Sequence, residues 1–152
     1  MMLLIIDANI LIDMESGNLL ERLFQLPIRI AIPDILYREE IEPGTPGLEF
    51  IGLCLLEITG EYVAYALSLS NKYGNGPSHN DYFALALAKQ EGCPLLTGDK
   101  QLRKVALSEE VSTMGTIWLT VSSCFSHSMV FQIKPIVNFA PNSYIFGEMR
   151  VL

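Results

Sequence analysis

The chain has 152 residues, half of them apolar and 18% charged, with a net charge of −7. That is enough for one ordinary domain with a substantial core. The acidity argues against a protein that coats nucleic acid through many Lys and Arg contacts to phosphate; it leaves room for an enzyme that grips nucleic acid locally through a metal and a few basic residues. Cys54, Cys93 and Cys124 are far apart, with no Cys-x-x-Cys or His-x-Cys spacing. This speaks against a zinc site and for a reducing compartment. The apolar N-terminal stretch spans six residues before Asp7, with no basic flank and no small-residue cleavage pattern. It reads as neither a signal peptide nor a membrane span, so the expectation is a soluble cytoplasmic protein.

In chain order, Leu3-Leu4-Ile5-Ile6 reads as a strand buried on both faces, ending at Asp7. Ala8 to Met14 looks like a helix start, and Asn18 to Phe24 spaces its apolar residues for one helical face before Pro27 closes it. Arg29 to Ile32 reads as a short strand, after which Pro33 opens a helix carrying Leu36, Glu39 and Glu40. Pro43 to Gly47 is a loop, and Phe50 to Ile58 is a candidate strand. Helical spacing runs from Gly60 to Lys72 and is broken by Tyr73-Gly74-Asn75-Gly76-Pro77. Ser78 is a candidate N-cap for a helix through Gln90, with Asp81 in its first turn and Gly92 past its end. Pro94 to Gly98 is a strand running into Asp99, followed by a helix to about Leu107 and a last strand at Thr116-Ile117-Trp118-Leu119. Strands alternating with helices predict a parallel α/β sheet.

Ligands in open α/β sheets sit at the carboxyl ends of the strands. If the runs before Asp7 and Asp99 are parallel strands, both aspartates lie on one rim. Asp81 at a helix start and Glu39 after Pro33 supply two further acids, with Glu40 beside Glu39 as a rival. Clustered carboxylates suit Mg²⁺ or Mn²⁺, hard cations that prefer oxygen ligands and keep several waters. Each acid alone has a plainer reading: an aspartate after a strand is most often a helix cap, and a glutamate on a helix is most often solvated. Only their joint arrangement points to a site.

Four blocks carry a family resemblance. They are Ile5 to Asp13, Pro33 to Glu39, Ser78 to Ala88, and Leu95 to Ala106, with Gly115 to Leu119 as a weaker fifth. In order and spacing they resemble the PIN domain, the nuclease fold of VapC-type toxins from toxin–antitoxin pairs. The likeness covers residues 2–120. It implies a PIN-like α/β/α sandwich and a metal-dependent endoribonuclease, with Asp7, Glu39, Asp81 and Asp99 around Mg²⁺ or Mn²⁺. Asn9 and Thr97 match polar positions that support the acids. It also implies an RNA substrate, a cognate antitoxin and a homodimer. Lys100, Arg103 and Lys104 follow Asp99 at helical spacing; they are candidates to hold an RNA phosphate, against the plainer reading of a solvated basic face. His79 reads as a loop residue, and Tyr62, Tyr65, Trp118, Met129 and Phe131 as packing.

From Val121 to Gly147 Lys134 is the one formally charged residue. The chain therefore divides into a PIN-like domain over 1–120 and an atypical C-terminal extension over 121–152: an interface arm, an added strand pair, or an end with little structure. The rival functional reading is a non-catalytic PIN-like binding or assembly module. A phosphotransfer domain with Asp7 as nucleophile fits less well, because the position two residues on holds Asn9 where a second acid is wanted.

Overall fold

The computed structural model describes residues 1–74 and 76–115. Its centre is a five-stranded sheet in which every neighbouring pair is parallel: β1 (Met2–Ile6), β2 (Ile28–Pro33), β3 (Leu53–Leu56), β4 (Leu95–Leu96) and β5 (Thr113–Met114). The order across the sheet is β3-β2-β1-β4-β5. The chain builds outward from β1 to one edge, then returns to build the other half on β4. The β1/β4 boundary is thus the topological switch point, where open α/β sheets leave a crevice at the carboxyl ends.

The apolar runs fill the middle of the sheet. Leu4, Ile5, Ile6, Ala31, Ile32, Leu95 and Leu96 are fully buried, each such Leu or Ile contributing about 1.5–3 kcal/mol by leaving water. Helices α1 (Ala8–Ser16), α2 (Leu20–Phe24), α3 (Asp34–Leu36), α4 (Gly60–Tyr73), α5 (His79–Glu91) and α6 (Lys100–Ser108) pack around it. In α5, Tyr82 and the run Ala84 to Ala88 are all buried. This helix is covered almost all round, and it contacts β1, β2 and β4 as well as α4 and α6. Its first turn therefore projects from a rigid centre. Among the described residues, no helix is long and apolar enough to cross a membrane.

Most elements lie where the sequence places them, with four differences. The helix after Pro33 is a short α3 that widens into a π-helical turn over Tyr37–Ile41, with the Glu42 N–H bonded to the Tyr37 carbonyl at 2.8 Å. The candidate strand from Phe50 to Ile58 is cut to Leu53–Leu56, preceded by a 3₁₀ turn at Leu48–Ile51. Gly52 separates the two at φ +129, with Phe24 so close that a Cβ would sit 3.3 Å from it, and a side chain is disfavoured on both counts. His79 is the first residue of α5 rather than a loop residue. The fifth strand is Thr113–Met114, paired to Leu95–Leu96. The strand expected at 116–119, the packing roles of Trp118, Met129 and Phe131, and the whole 121–152 extension lie outside the described residues.

Candidate metal centre

β1 pairs with β4 in the register Ile5↔Leu95 and Ile6↔Leu96. The next residue on each strand is polar, so Asp7 and Thr97 emerge side by side at the carboxyl edge. Asp7 is 1% exposed and Thr97 fully buried. The Thr97 hydroxyl donates to Asp7 Oδ2 at 2.5 Å and accepts the Asp99 backbone N–H at 3.1 Å. One threonine thus ties the two strand-terminal aspartates together.

Asp7 also caps α1, its Oδ1 accepting the Ile10 N–H at 3.0 Å. Asp99 caps α6, its Oδ1 accepting from Gln101 at 2.7 Å and Leu102 at 3.3 Å. Asp81 completes a capping box on α5: its Oδ2 accepts the Ser78 N–H at 2.8 Å, and Ser78 Oγ accepts the Asp81 N–H at 3.2 Å. Each aspartate is therefore the cap that its local sequence predicts. Capping leaves lone pairs unused, since an ionised carboxylate offers about four acceptor positions. Oδ1 of Asp81 and Oδ2 of Asp99 take no part in these capping bonds.

Burial drives the Asp7 pKa upward from its ordinary value. The bonds from Thr97 and Ile10 oppose this, and the negative charges of Asp81 and Asp99 raise it further. Two aspartates far away in sequence, Asp81 and Asp99, thus lie near enough to bear on the Asp7 charge. The Tyr82 hydroxyl is buried and, among the described residues, has no hydrogen-bond partner. Its pKa is raised by burial first, then by Asp81, Tyr73 and Asp99.

The two glutamates separate. Glu40 accepts a hydrogen bond from Asn80 Nδ2, one residue before Asp81, and borders a cleft with Leu11, Ile41 and Leu48. Glu39, the residue that the resemblance matches, instead borders a different cleft with Asp34, Glu57, Ile58 and Phe83. Adjacent residues on a helix diverge by about 100°, so Glu40 meets the first turn of α5 at Asn80 while Glu39 borders the cleft lined by Phe83 of the same helix.

Asn9 is exposed in the first turn of α1. Lys100 and Lys104 are exposed, one turn apart on α6. Arg103 is half-buried: Nη2 donates to the Thr97 carbonyl at 3.1 Å, and the guanidinium lies against Gly115. It ties α6 to the end of β4. Nothing in the sequence marks Asn80 or this bond of Arg103, because both depend on partners on other elements.

The donor set is all oxygen, of like charge and partly buried. By chemistry it fits a hard divalent cation that keeps part of its water. Among the described residues, no three Asp, Glu, His or Cys side chains converge closely enough, as they stand, to grip an ion directly; the aspartates rest on their helix caps.

The PIN-domain family DUF3368 matches residues 3–139. Among solved structures, VapBC2 from Rickettsia felis bound to a DNA fragment from their promoter is similar at 17% identity and TM-score 0.55, over 75% of this chain and 98% of that one. FitAcB from Neisseria gonorrhoeae is similar at 15% identity and TM-score 0.40, over 73% and 96%. No curated protein matches the sequence. A family match over most of the chain, and a parallel sheet with its acids at the switch point, establish that this chain belongs to the PIN-domain family.

Proposed function

We propose that the protein is a divalent-metal-dependent endoribonuclease, the toxin half of a toxin–antitoxin pair. The observation that carries this reading is the Thr97 link between Asp7 and Asp99 at the switch-point rim, with the Asp7 pKa raised first by burial and then by the charges of Asp81 and Asp99. Such an arrangement costs stability in the free protein, and a bound cation would offset the repulsion. PIN-family membership and the fold shared with VapBC2 support the same conclusion.

In this reading Asp7, Asp81 and Asp99 would hold Mg²⁺ or Mn²⁺, with Glu39, the residue that the resemblance matches, as the fourth acid and Glu40 as its rival. Such a cation supplies an activated water and neutralises charge on the phosphoryl oxygens of RNA. The chain does the positioning. Thr97 fixes the Asp7 carboxylate and couples it to Asp99. The capping box sets the height of Asp81 on the end of α5. Lys100 and Lys104, on one exposed face, hold the RNA backbone, while Arg103 braces their helix. Asn9, at the mouth of α1, supports the acids. The active form is a cytoplasmic homodimer restrained by a cognate antitoxin.

The test is cleavage of RNA with Mg²⁺ or Mn²⁺ by wild type and Asp7→Asn. Cleavage should vanish with EDTA and with the substitution. Cleavage that survives either one overturns the mechanism, and a protein that binds no Mn²⁺ at millimolar concentration is the non-catalytic module instead.

A further inference from the structure

Strand β3 forms one edge of the sheet. It pairs with β2 on one side, and among the described residues no strand pairs with it on the other. Its sequence, Leu53-Cys54-Leu55-Leu56, has neither the charge nor the proline that usually guards an open edge. We propose that β3 is a homodimer surface, on which two copies of the chain join edge to edge with their β3 strands antiparallel about a two-fold axis at Cys54. This gives a surface to the homodimer of the proposed function and rests on nothing else in that reading.

The turn leading into β3 holds two apolar side chains in water. Phe50 is 87% exposed and Ile51 49%. The turn is fixed from within the fold. The hydroxyl of buried Tyr37 accepts the Gly47 N–H at 3.0 Å and the Leu48 N–H at 3.3 Å, and donates to Glu49 Oε2 at 2.7 Å. Leu48 is buried, and Gly47 at φ +84 and Gly52 at φ +129 make the bends on either side. An aromatic side chain on a locked turn suits an interface anchor, because little freedom is left to lose on association.

Charge selects a second copy as the occupant. Arg29 lies one residue before the first β2–β3 pair, Ile30↔Leu53, and Glu57 one residue after the last, Pro33↔Leu56. Both are exposed, and among the described residues neither makes an ion pair. Within one chain they mark opposite ends of the edge, roughly 16 Å apart at about 3.3 Å per residue. The Arg29 side chain reaches over β3, with Nη2 3.9 Å from Cys54 Sγ. Glu49, at the same end, is already bound to the Tyr37 hydroxyl. An antiparallel copy reverses the edge end for end, so Arg29 of each copy meets Glu57 of the other. A two-fold axis also keeps like faces together. Leu53 then opposes Leu55 of the other copy, Cys54 opposes Cys54, and Phe50 and Ile51 project beside the far end of the other strand.

The test is sedimentation equilibrium of the full chain across micromolar concentrations, where wild type should dimerise. Phe50→Glu should raise the dimer dissociation constant at least about tenfold, as loss of an aromatic anchor does. Urea unfolding of the dilute monomer should stay that of wild type, because Phe50 faces water in a single copy. Arg29→Glu and Glu57→Arg should each weaken association about tenfold. Combining the two should restore it, since the swap rebuilds both pairs. Cys93→Ser with Cys124→Ser leaves Cys54 as the one thiol. Copper–phenanthroline, which takes two electrons from a thiol pair, should then yield a covalent dimer, because opposed residues of antiparallel strands lie about 4.5–5.5 Å apart, within disulfide reach. A wild type that is monomeric at every concentration overturns both this edge and the homodimer of the proposed function. A dimer that Phe50→Glu and the charge reversals leave intact overturns the edge alone. A double charge variant no tighter than its singles, or a dimer whose Cys54 thiols do not cross-link, overturns the antiparallel arrangement. RNA cleavage enters none of these readings, so failure of the nuclease leaves the edge standing.

Discussion

Asp7 and Glu109 are both carboxylates drawn out of full solvent contact, and their environments push them in opposite directions. Asp7 caps the N-terminus of α1, where the helix dipole favours an anion, yet its pKa is raised. Glu109 caps the C-terminus of α6, where the dipole disfavours one, yet its pKa is lowered to about 2. The dipole, worth about 0.3–1 kcal/mol, loses in both places. At Asp7 the winner is desolvation, reinforced by Asp81 and Asp99. At Glu109 it is direct partners: Lys72 Nζ at 2.8 Å, the Tyr73 hydroxyl at 2.7 Å and the Tyr65 hydroxyl at 2.8 Å. Lys89 adds a bond to the Glu109 carbonyl at 3.0 Å and lies 5.0 Å above the Tyr65 ring. Glu109 is satisfied by its own chain and fastens α4, α5 and α6 together. Asp7 is surrounded by like charge that its own chain does not neutralise. Glu109 is stabilised as an anion by its partners, and Asp7 is held against its ordinary ionisation by burial.

The largest expected effect breaks the acidic rim. Asp7→Asn should lower RNA cleavage by more than about 100-fold, beyond the usual cost of losing an outer-shell partner of a metal. It should also raise the melting temperature in EDTA by a few degrees, because a raised carboxylate pKa means the charge opposes folding. A fall in melting temperature would show that the α1 cap matters more than the repulsion. Glu109→Gln should do the reverse. It should cost about 1–3 kcal/mol in urea unfolding, discounted because the Lys72 side chain is 63% exposed. Mn²⁺ affinity should stay unchanged.

A pH titration of stability sharpens the contrast through its sign. Glu109 has a folded pKa of about 2 against an ordinary 4.5, so its contribution is present above 4.5 and is lost as pH falls toward 2. Asp7 has a raised folded pKa, so the metal-free protein should lose stability as pH rises above the ordinary value of 3.8. Glu109→Gln should flatten the acid limb, Asp7→Asn should remove the loss at higher pH, and saturating Mn²⁺ should mask the second effect. Urea midpoints between pH 2 and 7 measure both limbs.

Smaller effects divide the basic residues of α6. Arg103→Ala should cost about 1 kcal/mol of stability through the lost bond to the Thr97 carbonyl. Lys100→Ala with Lys104→Ala should leave stability alone and weaken RNA binding. It should reduce the log–log salt slope by about 1.4, at about 0.7 per phosphate contact on single strands. If Arg103→Ala changes only the salt slope, then it is a phosphate ligand and not a brace.

Much of this was legible in the sequence. The apolar runs predict buried parallel strands because burial on both faces writes itself directly into consecutive residues. Asp7 and Asp99 are legible because each ends an apolar strand run and caps the helix that follows, and Asp81 is legible as an acid in a first turn opened by Ser78. The 3₁₀ turn at Leu48–Ile51 was not legible, since an apolar stretch such as Phe50 to Leu56 reads alike as strand or turn until Gly52 meets Phe24.

The sequence alone determined which kinds of group line the rim and that they sit at strand and helix ends, because those are short-range properties. The tertiary structure decided which groups meet. The register Ile5↔Leu95 sets Thr97 against Asp7, the first turn of α5 sets Asn80 against Glu40, and the Thr97 carbonyl takes Arg103 away from open solvent. Each depends on contacts between residues distant in sequence, which only the packed sheet and helices bring within reach.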